Sequence, residues 1–291
     1  MPHSLDALER QLRAQRARRR SRVTGLILRL LVYLAALTTI VVLLFIIGYI
    51  LVKGIPHISA DLFDPTYNSQ NVSLMPALVN TLLMIVLSLA ISVPLGIGAA
   101  VYLVEYTGRG NKLVSLVRLT AETLTGIPSI VYGLFGMLFF VTALGWRLSL
   151  LAGSFTLAIM ILPVIMRTTE EALKAVPDTY REGSFGLGSG RLRTVFRILL
   201  PAAMPGILAG VILGIGRIVG ESAALLFTAG SVASIPTSVF DSTRTLSVHM
   251  YVLSSEGLYI DKTYATAVVL LVIVLLINTL SAIIARRVTK G

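Results

Sequence analysis

Cysteine is absent from the 291 residues, which excludes disulfides and thiolate chemistry. Histidine is nearly so: His3, His57 and His249 are too scattered to resemble a metal motif. Charged residues make up only 13% of the chain, about half the share of an ordinary soluble domain. No Gly-Lys dipeptide occurs, so the phosphate-cradling P-loop is missing. No Ser/His/Asp set or carboxylate pair stands where it suits hydrolysis either. The chain is therefore not expected to be an enzyme by itself or to carry a cofactor or metal of its own.

What it does contain is apolar. Hydrophobic residues reach 55% and mean hydropathy is +0.86, the composition of an integral membrane protein. A net charge of +11 would point a soluble chain toward nucleic acid. Here the basic residues crowd beside apolar runs, so membrane lipid and orientation account for them, and no nucleic-acid partner is expected.

Two regions are expected: a basic tail at 1–25 and a six-span all-α domain at 26–291. The tail holds seven arginines from Arg10 to Arg22. Two readings of it stand, an anionic-lipid anchor in which each basic group contributes roughly 1 kcal/mol, and a disordered topogenic signal. The first apolar run, 26–52, exceeds the roughly 20 residues needed to cross a bilayer and lacks a small-residue cleavage site, so it reads as an uncleaved anchor. The second, 74–106, contains Pro94, Gly96 and Gly98 and reads as kinked, not stopped. The third, 113–144, is broken by Gly126, Pro128, Gly133 and Gly136, small residues that let helices approach closely. Spans at 148–166, 202–227 and 263–285 follow, with a polar outer excursion at 228–262.

Charge fixes the orientation. From a cytoplasmic start, the inner side receives eight arginines from Arg10 to Arg29, then Arg109, Lys112, Arg118, six basic residues from Arg167 to Arg197, and Arg286, Arg287 and Lys290. The outer side receives only Lys53, Arg147, Arg244 and Lys262. Both termini and the 167–201 loop are thus expected in the cytoplasm.

The stretch 177–201 is the least membrane-like segment between two apolar ones. Two short helices are expected to meet at Gly186-Leu187-Gly188-Ser189-Gly190, with Asp178 capping the first, Gly188 as its left-handed stop and Ser189 capping the second. Arg191, Arg193 and Arg197 alternate with Leu192, Val195, Phe196 and Ile198, giving one cationic and one apolar face.

Arg217 and Glu221 stand four residues apart in the fifth run, beside Gly214, Gly216 and Gly220. An ionisable group inside a membrane costs about 2.5–3.5 kcal/mol on insertion scales and faces a bundle interior or a water-filled path. Arg217 is therefore either a cation on an anion route, held by Glu221, or half of a neutralised packing pair. Arg118 with Glu122 repeats the spacing near the third run's cytoplasmic start, where snorkelling is easy. Arg167 with Glu170 and Glu171 forms a third group. Ser129, Ser154, Thr156 and Thr168 either meet a passing anion or bond their own backbone. Tyr102, Tyr106, Trp146, Tyr251, Tyr259 and Tyr264 fall near span ends, as an interfacial belt would.

Glu182-Gly183-Ser184, three residues, Gly188, nine residues, then Ile198-Leu199-Leu200-Pro201 resembles the EAA loop of ABC-transporter permeases. The segments from Gly126 to Gly136 and from Arg217 to Ala229 resemble the phosphate-specific (Pst) permeases, the second on the PstA-type side. The resemblance covers about residues 25–288. It implies a MetI-like fold of six transmembrane helices with a cytoplasmic coupling helix, moving phosphate inward across a bacterial plasma membrane by alternating access. It also implies a PstC-type permease, two copies of a PstB-type ATPase that holds ATP and Mg, and an external PstS-type phosphate-binding protein. Tyr180, Glu182, Gly183, Ser184, Gly188, Ile198 and Pro201 become coupling residues, and Arg217 and Glu221, with Arg118 and Arg167 behind them, the substrate path. Gly183-Ser184 replaces the family's Ala-Ala, and Ser222-Ala223-Ala224 stands where Thr-Ala-Pro is frequent. An importer of sulfate or molybdate, an ion-coupled carrier and a non-transporting scaffold are the rival readings.

Overall fold

The computed structural model describes the backbone of residues 3–107 and 111–290 and the side chains of residues 25–107, 111–280 and 283. It divides into two compact units, Met1–Lys53 and Gly54–Gly291. The first unit is α1 (His3–Gly54), one helix that runs through both the basic tail and the first apolar run. The tail arginines, together with Arg109, Arg286, Arg287 and Lys290, lie outside the described side chains.

The second unit holds α2 (Met75–Val101), α3 (Lys112–Thr125), α4 (Ser129–Gly136), α5 (Leu150–Ala175), α6 (Asp178–Gly186), α7 (Arg191–Thr194), α8 (Leu200–Val219), α9 (Ala223–Thr228), α10 (Leu246–Glu256) and α11 (Ile260–Lys290). Five helices of the described chain are long and apolar enough to cross a membrane. α3 with α4 and its wider-wound continuation to Ala143 pass the same test of length and apolarity together, bent by 103°, and make a sixth crossing if the bent pair is one span. The bend falls at Gly126–Pro128, where Pro128 cannot continue α3 and instead opens α4. Pro94, by contrast, leaves α2 continuous.

Packing is centred on α5. Two thirds of its most apolar window is buried, 67% against 28% for α2 and 17% for α11. Leu157, Met160, Ile161 and Ile165 are its core contribution, meeting Met84 of α2, Ile218 of α8 and Leu225 of α9. Glycine permits the closest approaches. A Cβ on Gly210 of α8 would fall 1.9 Å from Thr168 Oγ1 of α5, and one on Gly133 would fall 2.7 Å from the Ala224 backbone.

Three boundaries differ from the sequence reading. α5 continues past Arg167 to Ala175 because its charged residues pair across turns and to α3. The second short helix of the 177–201 stretch is the start of the fifth span: α7, a wider turn over Val195–Leu199, and α8 form one 29-residue helix, Arg191–Val219. That helix ends at Gly220, and α9 is a separate short piece.

Candidate functional site

Within the spans, a cavity of about 690 Å³ opens among α5, α8 and α11. Ala209, Ile212, Leu213 and Gly216 line it from α8 at helical spacing, and Val164 from α5. Among the described residues, its polar lining comes from Arg217 and Asn278. Among the described residues Arg217 makes no ion pair and no hydrogen bond. A half-exposed guanidinium in an apolar wall without a counter-charge retains its full attraction for an incoming anion.

The expected pair with Glu221 is not formed. The Val219 helix end places Glu221 beyond α8, so four-residue spacing no longer means one face. Glu221 is buried, and its Oε1 accepts the Ala224 N–H at 3.0 Å, satisfying a free donor at the start of α9. Its carbonyl accepts the Ser247 hydroxyl of α10. Glu221 thus positions the α8–α9 break and does not hold Arg217.

Charges at the loop end are also re-paired. Arg118 Nε lies 2.6 Å from Glu170 Oε1, joining α3 to α5, where the sequence spacing had suggested Glu122. Glu170 is buried and also receives Lys174 Nζ at 2.5 Å. Arg167 reaches Glu171 at 3.4 Å and Glu122 at 3.9 Å. These residues enclose a smaller cavity of about 200 Å³. Arg118 and Arg167 are therefore neutralised groups. Thr156, Thr168 and Ser154 donate to carbonyls of their own helix at 2.8–2.9 Å, the usual habit of hydroxyls in membrane helices. Ser129 starts α4.

The 177–201 loop is built around α6. Pro177 occupies the cap position without a side-chain cap, and Asp178 inside the first turn instead pairs with Arg181 at 3.1 Å. Arg181 also donates to the Leu173 and Val176 carbonyls at 3.0 Å and to Glu105 at 2.8 Å. The hydrogen bond to Glu105 raises its pKa above the ordinary arginine value. Gly188 has φ +80°, the expected left-handed stop. Ser189 does not cap the following helix; Gly190 takes that place, and the Ser189 N–H donates to the Ser184 carbonyl at 3.1 Å. The Ser184 hydroxyl meets that of Thr194 at 2.8 Å, fastening α6 to α7. Tyr180 and Glu182 are exposed, Gly183 has open space beside it, and Ile198 and Pro201 sit where the loop joins the span.

A buried polar group lies at the opposite end. His249 is wholly buried, and burial, reinforced by the Arg244 guanidinium, lowers its pKa to about 3. Arg244 is 4% exposed and sits 4.6 Å over the Tyr67 ring. Asn80 of α2 donates to the Ser234 and Arg244 carbonyls, at 2.9 and 3.2 Å. Neither His249, noted as too isolated for a metal, nor Arg244, counted as an outer charge, carries any spacing that forecasts this.

Residues 92–290 match the model of the binding-protein-dependent transport system inner membrane component. The chain is 37% identical to the phosphate transport system permease protein PstA 1 of Mycobacterium tuberculosis, over 74% of this chain and 71% of that one. It is 32% identical to the phosphate transport system permease protein PstA of Yersinia pestis, over 98% of this chain and 96% of that one. The chain belongs to the binding-protein-dependent permeases, on their PstA-type branch. The permease also shares its fold, at 19% identity and a TM-score of 0.66, with a chain of a bacterial alginate ABC transporter, covering 90% of this chain and 96% of that one.

Proposed function

We propose that this permease is one transmembrane half of an ATP-driven importer of inorganic phosphate in a bacterial plasma membrane. It pairs with a PstC-type permease and works with two PstB-type ATPase subunits, which bind ATP and Mg, and an external PstS-type phosphate-binding protein. The observation that carries the reading is Arg217, an unpaired cation facing a cavity inside the spans. Phosphate entering that cavity sheds water around its negative charge, and the guanidinium replaces part of that hydration with fixed donors. The PstA-type relatives support phosphate as the substrate.

Basic residues concentrated on the 167–201 side support a cytoplasmic placement for that loop and both termini. There α6 docks on the ATPase, and Arg191–Val219, being one helix, carries displacement from the loop to Arg217. Closure of the ATPase pair then rocks the spans between outward and inward openings. Replacing Arg217 by Gln in the assembled complex is expected to abolish phosphate uptake while all subunits still co-purify. Unchanged uptake would remove Arg217 from the path.

A further inference from the structure

At the end of the bundle away from the 177–201 loop, Arg147 and Lys262 reach solvent while Arg244 is only 4% exposed. The Tyr67 ring serves one face of the Arg244 guanidinium by cation–π attraction. Its N–H edge is left over. Nε and Nη2 are buried without a hydrogen-bond partner, and no carboxylate pairs with them, among the described residues. Asp241, the nearest acid in sequence, accepts instead from the Thr237 and Ser238 N–H groups at 2.8 Å. Nε and Nη2 share one edge of a planar group with their N–H bonds side by side, the fork that takes two oxygens of one oxyanion.

His249 meets the same Tyr67 ring edge-on at 6.1 Å, close enough for the Arg244 charge to act on it. It is wholly buried, and both of its ring nitrogens are unpartnered among the described residues. Neutral imidazole offers one N–H donor and one acceptor. The surrounding backbone is tied in place: the Thr243 N–H donates to the Ala229 carbonyl at 3.0 Å, the Leu246 N–H to the Thr81 hydroxyl at 2.9 Å, and Asn80 to the Arg244 carbonyl at 3.2 Å. Those donations fix the Asn80 carboxamide and leave its Oδ1 unpartnered as well. Water meets donors and acceptors but brings no charge, and buried charges in folded proteins are paired. A phosphate ion brings oxygens for the fork and the imidazole N–H, negative charge for the guanidinium, and an O–H for an acceptor.

Resting on the phosphate-importer reading for the identity of the ion, we propose that Arg244 and His249 bind one inorganic phosphate at this end of the permease, in a second site separate from Arg217. Arg244 supplies charge and fork, His249 a further donor, and Asn80 holds the Arg244 backbone. The Arg217 cavity lies among α5, α8 and α11, and none of these residues lines it.

The experiment measures labelled phosphate bound at equilibrium by the complex of both permeases and the ATPase in lipid nanodiscs, without the external binding protein, which would hold phosphate itself. Arg244→Gln is expected to bind one phosphate per complex fewer than the parent, and to remove one again when introduced into Arg217→Gln. Arg244→Lys, which keeps the charge and loses the fork, should weaken that phosphate roughly tenfold. Unlabelled phosphate should displace it, and chloride at the same concentration should not. Parent-like phosphate binding in Arg244→Gln would overturn the proposal, as would equal displacement by chloride. A single loss shared by Arg217→Gln and Arg244→Gln would overturn it too, by merging the two sites. If Arg244→Gln does not assemble, Arg244→Lys decides, and unchanged affinity there overturns the site. Uptake is followed in the same preparation after the binding protein is added. Phosphate uptake without any Arg244-dependent binding sinks this inference alone, and Arg244-dependent binding in a complex that takes up no phosphate sinks the importer reading alone.

Discussion

Arg181 Nη2 lies 2.8 Å from Glu105 Oε1, tying α6 of the 177–201 loop to the turn that extends α2. The two side chains are only 17% and 11% exposed, and Arg181 is further fixed to the end of α5 through the Leu173 and Val176 carbonyls. One guanidinium therefore joins α6 to two spans. A displacement of α6 has to move α2 and α5 or break this contact.

Glu105→Gln and Arg181→Gln are each expected to lower the phosphate moved per ATP hydrolysed several-fold, with ATP hydrolysis continuing. The double variant should be no worse than either single one, because the two residues act as a unit. Uptake and hydrolysis measured in the same vesicles test this. Additive losses would show that the contact does not couple them.

Glu170 and Glu122 make opposite predictions. Glu170 is 7% exposed and serves both Arg118 and Lys174, so Glu170→Gln should destabilise the permease by about 2 kcal/mol, the partly exposed Arg118 softening the loss of a buried partner. Glu122 is 68% exposed and stands 3.9 Å from Arg167, and Glu122→Gln should change stability by less than about 0.5 kcal/mol. Denaturant titration in detergent compares them directly.

His249 makes acid stability asymmetric. Its folded pKa is about 3, below the ordinary value of about 6.5. Above pH about 6.5 the ring is neutral folded or unfolded, and it contributes no pH dependence. As pH falls from about 6.5 to about 3, the unfolded chain takes up a proton that the folded one does not, so stability declines by about 1.4 kcal/mol per pH unit. A His249→Phe variant should lose this slope in thermal melts taken from pH 7 to pH 4. An unchanged slope would place the titrating group elsewhere.

Glycines in and just after α6 separate propensity from geometry. A Cβ on Gly183 meets nothing within 4 Å, so Gly183→Ala should stabilise the helix by about 0.5–1 kcal/mol. Gly188 stands at φ +80°, so Gly188→Ala should be destabilising despite equally open space. Hydrogen exchange of amides 182–187 should slow in the first variant and quicken in the second. If Gly183→Ala also raises ATPase coupling, the proposed docking of α6 is limited by its own helix propensity.

What could be read without coordinates was local. Glycine, proline and basic-residue placement located the loop, the Gly188 stop, the Pro128 break and the absence of a stop at Pro94, since each depends on backbone chemistry within a few residues. The pairings were not legible, because Arg118 meets Glu170 only through the packing of α3 on α5. Glu221 was misread for a related reason: four-residue spacing implies one face only if the helix continues, and this one ends at Val219. Asn278 passed unnoticed because a single carboxamide has no periodicity and gains meaning only from the cavity it borders.

The most direct measurement is labelled phosphate uptake into vesicles holding this permease with its partner permease and ATPase, with external binding protein and ATP supplied or withheld. The account predicts uptake that requires ATP and the binding protein and falls away with Arg217→Gln. Uptake that proceeds without ATP, or a complete complex that hydrolyses ATP yet ignores phosphate, would contradict it.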